Sequence, residues 1–361
     1  MNKKLISMAV GAALAAGTVM AQAAEGDMGP TVYGKGHASY GAVKIDDTDS
    51  GGTKTTLTDN MQFNSHASRI GVKGAVPISD SLKGTYGLEW GIDLSGESGF
   101  SNRNQYIGLK GGFGEVRFGN HDTPTKSAQG KFDEFNDTFG DFAGIVMGDI
   151  RRQNAITYLS PDFTGFGFAA QLAPGEGNGC DSETILTDTK CQGSIADNGG
   201  DGPADNISIA AQYKMAGLFV SLGYDQYDKK ANSADYKNLM RAIATYGNKM
   251  FQVGAVYEDG SKNAVGGTDR AGDKTSFGLS GHVTLADVHK IKLQYITGTE
   301  KGTAPAGDYE ETQTSLGYDY KMGKSTTGYA MYTAYEGKDK TSGSSAKTEF
   351  SFVGIGLIQN F

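Results

Sequence analysis

Hydrophobic and polar positions alternate with a period of two along most of this chain. In residues 82–93, apolar side chains recur at every second position from Tyr86 to Ile92, and the intervening positions carry Gly, Glu or Asp. Successive side chains of a β-strand point to opposite faces, so this pattern indicates a strand with one apolar and one polar face. The same alternation in 205–215, 217–228 and 289–298 predicts an all-β fold.

Sixteen segments of this kind are present. Their predicted bounds are 31–41, 61–76, 82–94, 102–110, 114–119, 151–160, 166–173, 205–215, 217–228, 237–247, 249–258, 273–285, 289–298, 309–321, 325–336 and 347–361. An even number of strands is typical of a single-chain bacterial membrane barrel whose two termini lie on the same side.

The connections between the segments alternate in length. Short ones fall near 77–81, 111–113, 161–165, 215–217, 247–249, 286–289 and 322–324, and long ones near 42–60, 120–150, 174–204, 229–236, 259–272, 299–308 and 337–346, with 95–101 intermediate. Short turns on one side and long loops on the other favour an outer-membrane barrel over a soluble β-sandwich. We therefore predict a transmembrane antiparallel β-barrel of sixteen strands. Hydrocarbon cannot solvate charge, so the apolar faces should contact lipid and the polar faces should line the lumen.

The N-terminal residues have the pattern of a secretory signal rather than of the barrel. Lys3 and Lys4 precede the apolar stretch 5–20, which ends at the small-residue sequence Ala21-Gln22-Ala23. The apolar stretch is shorter than the roughly 20 residues that cross a bilayer as a helix. We predict a signal peptide at 1–23 and the barrel at 24–361, and a retained N-terminal anchor is the alternative.

Charge and cysteine content narrow the possible ligands. The chain has 33 Lys and Arg against 41 Asp and Glu, a formal net charge of −8, and no basic patch that would bind nucleic acid. Cys180 and Cys191 are the two cysteines, and a small loop disulfide between them is plausible in an exported protein. The spacing disfavours a zinc site at these cysteines, because no His lies within forty residues of either. No metal or cofactor is expected.

Several short motifs in a fixed order carry a family resemblance. They are Thr31-Val32-Tyr33-Gly34-Lys35, Ser68-Arg69-Ile70-Gly71-Val72-Lys73-Gly74, Tyr106-Ile107-Gly108-Leu109-Lys110, Phe113-Gly114-Glu115-Val116-Arg117-Phe118-Gly119, Asn154-Ala155-Ile156-Thr157-Tyr158-Leu159-Ser160-Pro161, and Val353-Gly354-Ile355-Gly356-Leu357 before the terminal Phe361. With these motifs the mature chain resembles the general diffusion porins of Gram-negative outer membranes, which are sixteen-stranded trimers. Relatives often carry Arg where this chain has Asn120, so the arrangement of basic residues on its wall is in question.

The resemblance implies where the pore is narrowed. In similar porins the third external loop, 120–150 here, folds inward and faces basic side chains across the lumen. The acidic candidates are Asp122, Asp133, Glu134, Asp137, Asp141 and Asp149, and the basic wall candidates are Lys35, Arg69, Lys73, Arg103, Arg117 and Arg151. It also implies a homotrimer in contact with outer-membrane lipid and lipopolysaccharide, and a terminal Phe361 that the barrel-assembly machinery reads.

These features together predict a water-filled channel for passive diffusion of ions and small hydrophilic solutes. The net charge and the acidic third loop favour a weak cation preference. A substrate-specific sugar or anion channel is the main alternative, with Tyr33 and Phe219 pointing inward, and a non-conducting adhesin or structural barrel is a further one. An enzyme is disfavoured, because none of the five His residues has a Ser or acid at a recognisable catalytic spacing.

Overall fold

The fold consists almost entirely of β-strands. The computed structural model describes residues 29–96, 98–174, 204–227, 236–262, 272–302 and 306–361; the predicted signal segment and both cysteines lie outside these ranges. The strands are β1 (Thr31–Thr48), β2 (Lys54–Ser65), β3 (Arg69–Ser79), β4 (Leu82–Gly91), β5 (Ser101–Gly111), β6 (Gly114–Asp122), β7 (Arg151–Leu159), β8 (Phe166–Ala173), β9 (Asn206–Met215), β10 (Leu218–Tyr227), β11 (Tyr236–Gly247), β12 (Phe251–Lys262), β13 (Lys274–Leu285), β14 (His289–Glu300), β15 (Tyr309–Lys321), β16 (Thr326–Asp339) and β17 (Lys347–Asn360). A short helix, α1 (Pro124–Ser127), and one 3₁₀ turn (Phe142–Gly144) lie between β6 and β7.

The strands form one closed antiparallel barrel. Sequential neighbours pair with each other except β2 and β3, which both pair with β1. The ring closes where β1 pairs with β17, from Lys35 opposite Asn360 to Thr48 opposite Lys347. The C-terminal residue takes part in the closure, because the backbone N–H of Phe361 donates to the carbonyl of Gly34 and Gly34 donates back. Closure satisfies the backbone hydrogen bonds that an open sheet edge would leave unpaired in hydrocarbon.

The seventeen strands correspond to sixteen barrel strands. β1 pairs with β3 near its start and with β2 along the rest of its length, so β2 and β3 are two parts of one barrel strand. The interruption lies at 66–68, where Ala67 has a φ of 40°. The Ser68 hydroxyl bridges this break by accepting from the backbone N–H of His37 and donating to its carbonyl. The prediction of a sixteen-stranded barrel is confirmed.

The predicted bounds of the first long loop (42–60) and the predicted start of the third (120–150) were wrong. The long loop expected at 42–60 is a tight turn at 49–53, because β1 continues to Thr48 and β2 starts at Lys54. Alternation is lost there because these strand ends carry charged and threonine side chains on both faces, yet cross-strand contacts such as Lys54 to Asp46 still stabilise the pairing. Asp122, assigned to the third loop, is the last residue of β6.

The barrel wall has an exposed apolar face and a buried polar face. In β10, Leu218, Val220 and Leu222 are exposed, whereas the alternating positions Phe219 and Ser221 are buried. Large exposed apolar side chains occupy the outward positions of nearly every described strand. No helix among the described residues is long and apolar enough to cross a membrane.

Candidate functional site: the third loop and the inner wall

The third loop, called L3 here (residues 123–150), has its own local structure. Thr123 caps α1 by accepting from the backbone N–H of Lys126, and Pro124 occupies the first helical position, where a missing N–H costs nothing. Asp141 caps the 3₁₀ turn by accepting from the N–H of Ala143. These caps satisfy backbone groups that a loop surrounded by the barrel would otherwise leave without partners.

L3 packs an apolar side against the buried face of the wall. Its residues Phe132, Phe142, Ile145 and Val146 form one cluster with the wall residues Phe219, Ile243, Val256 and Ile296. These wall residues lie on β10, β11, β12 and β14, and they occupy the inner positions of those strands. Phe219 therefore points inward as predicted, but L3 covers it, and it does not line the lumen.

Hydrogen bonds from the same part of the wall fix the backbone of L3. The hydroxyls of Ser221 and Ser280 donate to the carbonyls of Ala128 and Phe132, each at 2.6 Å. The side-chain amide of Gln294 donates to the Gly140 carbonyl at 3.0 Å, and that of Gln313 donates to the Asp141 carbonyl. We call the inner faces of β9–β15 the covered wall, because L3 lies along them.

The tip of L3 reaches the opposite side of the barrel. The Asp137 carboxylate lies 2.8 Å from Lys35 Nζ and 3.3 Å from Arg69 Nη1, on β1 and β3. Although burial opposes its ionisation, Lys35 and Arg69 lower the pKa of Asp137 to about 2. Two residues further on, the ring of Phe139 packs against those of His66 and Phe352, with centroids 5.1 and 4.7 Å apart.

The remaining inner wall carries most of the predicted basic residues. We call the inner faces of β1 and β3–β7 the open wall. The described part of L3 does not lie along these faces but contacts them at its tip and at its root. Arg103 Nε lies 2.6 Å from Glu89, which also accepts from the Tyr33 hydroxyl and lies 4.0 Å from Arg69. We call these residues the tip group. It contains three bases and two acids, which are Lys35, Arg69, Arg103, Asp137 and Glu89, and its net charge is +1.

Two further basic residues of the open wall lie outside this group. Arg117 Nε lies 2.8 Å from Glu115, and its guanidinium stacks 4.2 Å from the centre of the Tyr106 ring. Lys73 lies over the ring of Tyr33 at 5.2 Å and makes no contact with L3 among the described residues. These two candidates therefore line the wall away from L3.

At the root of L3 the predicted residues form a neutral network. Asp122 lies 2.8 Å from Arg151 Nη2 and 3.7 Å from Lys126, and Lys126 lies 3.0 Å from Asp149. Asn104 joins the network, since its side chain donates to Asp122 and accepts from Arg151. Two bases and two acids cancel here, so the root contributes no net charge to the lumen.

The other acids of L3 lie on the side of the covered wall. Glu134 lies 2.5 Å from His282 Nδ1 and 3.7 Å from Lys290, and these two lower its pKa against the effect of burial. Burial and the neighbouring carboxylate of Asp141 raise the pKa of Asp133 well above its usual range. Burial also raises the pKa of Asp141, to about 6. These acids therefore do not present a row of negative charge to the lumen.

Comparison with known proteins identifies the family. The model of the Gram-negative porin family matches residues 8–340. This chain belongs to the Gram-negative porins. Outer membrane porin protein 32 of Delftia acidovorans is 27% identical over 361 residues, which cover 94% of this chain and 91% of the relative. The major outer membrane protein P.IB of Neisseria gonorrhoeae is 25% identical over 316 residues, which cover 80% and 85% of the two chains.

Solved structures confirm the fold of this porin. The anion-selective porin from Comamonas acidovorans superimposes with a TM-score of 0.69 at 21% identity, covering 92% of this chain and 99% of that one. A loop-deletion form of OmpT from Vibrio cholerae gives a TM-score of 0.63 at 18% identity and the same coverage. The family and the barrel make this protein an outer-membrane transport channel rather than an enzyme.

Sequence reasoning missed several charged residues that complete the site of this porin. Glu89 and Glu115 pair with the predicted bases on the open wall, and His282 and Lys290 pair with Glu134. Most of them sit at strand positions whose alternation directs them inward, so the signal was present. What the alternation does not reveal is which inward residue of one strand meets which residue of another strand or of L3.

Proposed function

We propose that this porin conducts ions and small hydrophilic solutes passively, and that L3 narrows its lumen against the open wall. The observation that carries the proposal is the division of the inner surface. L3 lies along β9–β15 and reaches β1 and β3 at its tip, so solutes pass between L3 and the charged open wall. The aperture and the charges that line it then determine selectivity.

The narrow zone we propose is formed by the tip and the adjoining wall. Asp137 on L3 faces Lys35 and Arg69, and Arg103 with Glu89 extends the charged surface along the wall. Arg117, Arg151 and Lys73 continue it on either side. Ion pairs of the arginines and of Lys35 hold these long side chains in place, which keeps the width of the aperture fixed in an aqueous lumen.

The pairing of charges favours a weak preference for anions. The expectation of a cation preference rested on the negative net charge and on the acidity of L3. Within L3, however, Asp137 is paired with two bases and Glu134 with His282 and Lys290. The tip group keeps an excess of one base, the root is neutral, and Lys73 adds one positive charge. An excess of fixed positive charge in a narrow aqueous zone raises the local concentration of anions.

Assembly in the outer membrane is part of the proposal. We propose a homotrimer, supported by the small outward residues Gly36, Ala38 and Ala42 of β1, which lie on either side of the exposed Tyr40 beside the barrel closure. Lipid and lipopolysaccharide would surround the remaining outer face. We further propose that Phe361 is recognised by the barrel-assembly machinery, since it ends the strand that closes the ring. Signal cleavage after Ala23 is tested by N-terminal sequencing of the protein recovered from outer membranes.

Planar-bilayer recording of the purified protein tests the function. We expect stepwise conductance in symmetric KCl, and in a KCl gradient a reversal potential of the sign that anion preference requires. A folded protein, identified by altered mobility in unheated detergent gels, that produced no conductance would contradict the channel proposal. A reversal potential of the opposite sign would leave the channel intact and contradict the assignment of selectivity.

A further inference from the structure

An ion pair that plays no part in the charged lumen lies behind L3. Arg241 on β11 and Glu258 on β12 are opposite each other in the strand register, with Arg241 Nε 2.6 Å from Glu258 Oε2. The side chains are 2% and 0% exposed. Such a buried pair adds little stability beyond what apolar residues of similar size provide, so its presence calls for another explanation.

The Glu258 carboxylate also binds the backbone of L3. One carboxylate oxygen accepts a short hydrogen bond from the N–H of Met147, and the other accepts from the N–H of Gly148 at 3.3 Å. The Arg241 guanidinium lies 5.2 Å from the centre of the Phe142 ring. The pair thus contacts the descending limb of L3, residues 142–148, at both of its ends.

The close approach of this limb to the wall depends on two glycines. A Cβ at Gly148 would lie 2.5 Å from Leu239 Cδ2 and 2.7 Å from Arg241 Nη2, which is closer than van der Waals contact allows. A Cβ at Gly260 on β12 would lie 2.6 Å from Met147 Cε. A side chain at either position would therefore require the limb, or the neighbouring side chains of Leu239, Arg241 or Met147, to move.

We propose that Glu258, oriented by Arg241, positions the descending limb of L3 and thereby sets the width of the channel. This inference rests on the proposed role of L3 as the constriction. A carboxylate can accept from two successive backbone N–H groups, whereas an apolar residue could fill the same space but could bind neither. Arg241 neutralises the buried carboxylate and fixes its direction. Neither residue contacts the permeating solute, so both are positioning residues.

Two substitutions loosen the limb by independent routes. Glu258→Ala removes the acceptor. Gly148→Ala keeps both charges but adds a methyl group that clashes with the buried side chains of Leu239 and Arg241 and should push the limb away from the wall. For both variants we expect a larger single-channel conductance, more open-channel noise, and entry into liposomes of sugars that the unaltered channel excludes. The reversal potential in a salt gradient should keep its sign, because the open wall keeps its charges.

A matched control separates positioning from general damage to the barrel. Lys274 and Glu311 form another buried inner pair, 2.5 Å apart with side chains 11% and 10% exposed, on β13 and β15. The double variant Lys274→Met/Glu311→Gln should conduct as the unaltered channel does.

The inference is overturned if Gly148→Ala also conducts as the unaltered channel does, or if the control widens the pore equally. Should Glu258→Ala fail to fold, Gly148→Ala decides alone. An unaltered protein that did not conduct would instead refute the proposed function.

Discussion

The covered wall and the open wall belong to one barrel and follow the same alternation, yet their inner residues differ in kind. Inner positions of the covered wall are mostly apolar or neutral and polar, such as Ile243, Ser221 and Gln294, and they pack against or hydrogen-bond L3. Inner positions of the open wall carry Arg, Lys and Glu. A surface that binds a loop needs side chains whose removal from water costs little free energy, whereas a surface that contacts water can keep charged side chains.

Charges do occur on the covered wall, but the prominent ones lie in closed groups. Arg241 with Glu258, and His282 and Lys290 with Glu134, are examples in the described part of the chain. On the open wall the pairs are partly exposed, with Arg69 and Arg103 each more than 20% accessible. Substitutions that remove contacts between L3 and the covered wall should therefore change stability and aperture, and those on the open wall should change selectivity.

The largest effect on stability is expected at Phe132, which is fully buried between L3 and the covered wall. Phe132→Ala should lower the free energy of unfolding by about 3–5 kcal/mol, through lost packing and the cavity left behind. Urea titration of tryptophan fluorescence in detergent measures this. Phe277→Ala, on the outer face, is the control and should cost much less. Equal losses at both positions would remove the distinction between the packed contact of L3 with the covered wall and the lipid-facing outer surface.

The second effect is a pH dependence from Asp133 and Asp141. The pKa of both groups is raised in the folded state, that of Asp141 to about 6, so the native protein holds more protons than the unfolded chain above pH ~4. The contribution of these two groups to stability should therefore be fully present below pH ~4, and the part due to Asp141 should fall by about 3 kcal/mol as the pH rises through 6.

The control for this pH dependence is Asp141→Asn. The asparagine cannot ionise, so the contribution of position 141 to the change in stability with pH should be lost. Unfolding midpoints at pH 4, 6 and 8 give the measurement. A difference in midpoint between the unaltered protein and Asp141→Asn that did not change from pH 4 to pH 8 would contradict the assignment of a protonated acid in L3.

A smaller effect on stability is expected on the open wall. Arg69→Gln and Arg103→Gln should each change the free energy of unfolding by only about 1 kcal/mol, because their ion pairs are partly solvated. Their effect on selectivity should be larger, since the pair of substitutions converts the tip group from a net charge of +1 to −1. Reversal potentials in a KCl gradient should then shift toward cation preference. An unchanged reversal potential would mean that the tip group does not determine the ion selectivity.

The smallest effect is expected for Arg117→Gln. Arg117 is paired with Glu115 and stacked on Tyr106, away from L3, so its removal should shift the reversal potential less than Arg103→Gln does. It serves as the matched control for the open wall, because both residues are inward arginines bound to a glutamate. A shift as large as that of Arg103→Gln would mean that L3 does not define the narrow zone.

Much of the architecture could be read from local alternation. The inner direction of Lys35, Arg69 and Arg117 follows from strand parity, and the sixteen barrel strands follow from counting two-faced segments. The break at 66–68 and the extension of β1 to Thr48 could not be read in this way. The first depends on Ser68 bridging to His37, and the second on pairing between strands whose two faces are both polar.

The sequence by itself determined that the strands of this protein form a barrel wall with one apolar and one polar face. Lipid requires apolar side chains at every second position, and water requires polar side chains at the positions between them. Only the tertiary structure decided which inward charges remain in contact with water and which are closed against L3. That division depends on contacts between residues a hundred or more positions apart, such as Asp137 with Lys35 and Met147 with Glu258, and alternation along a single strand carries no information about them.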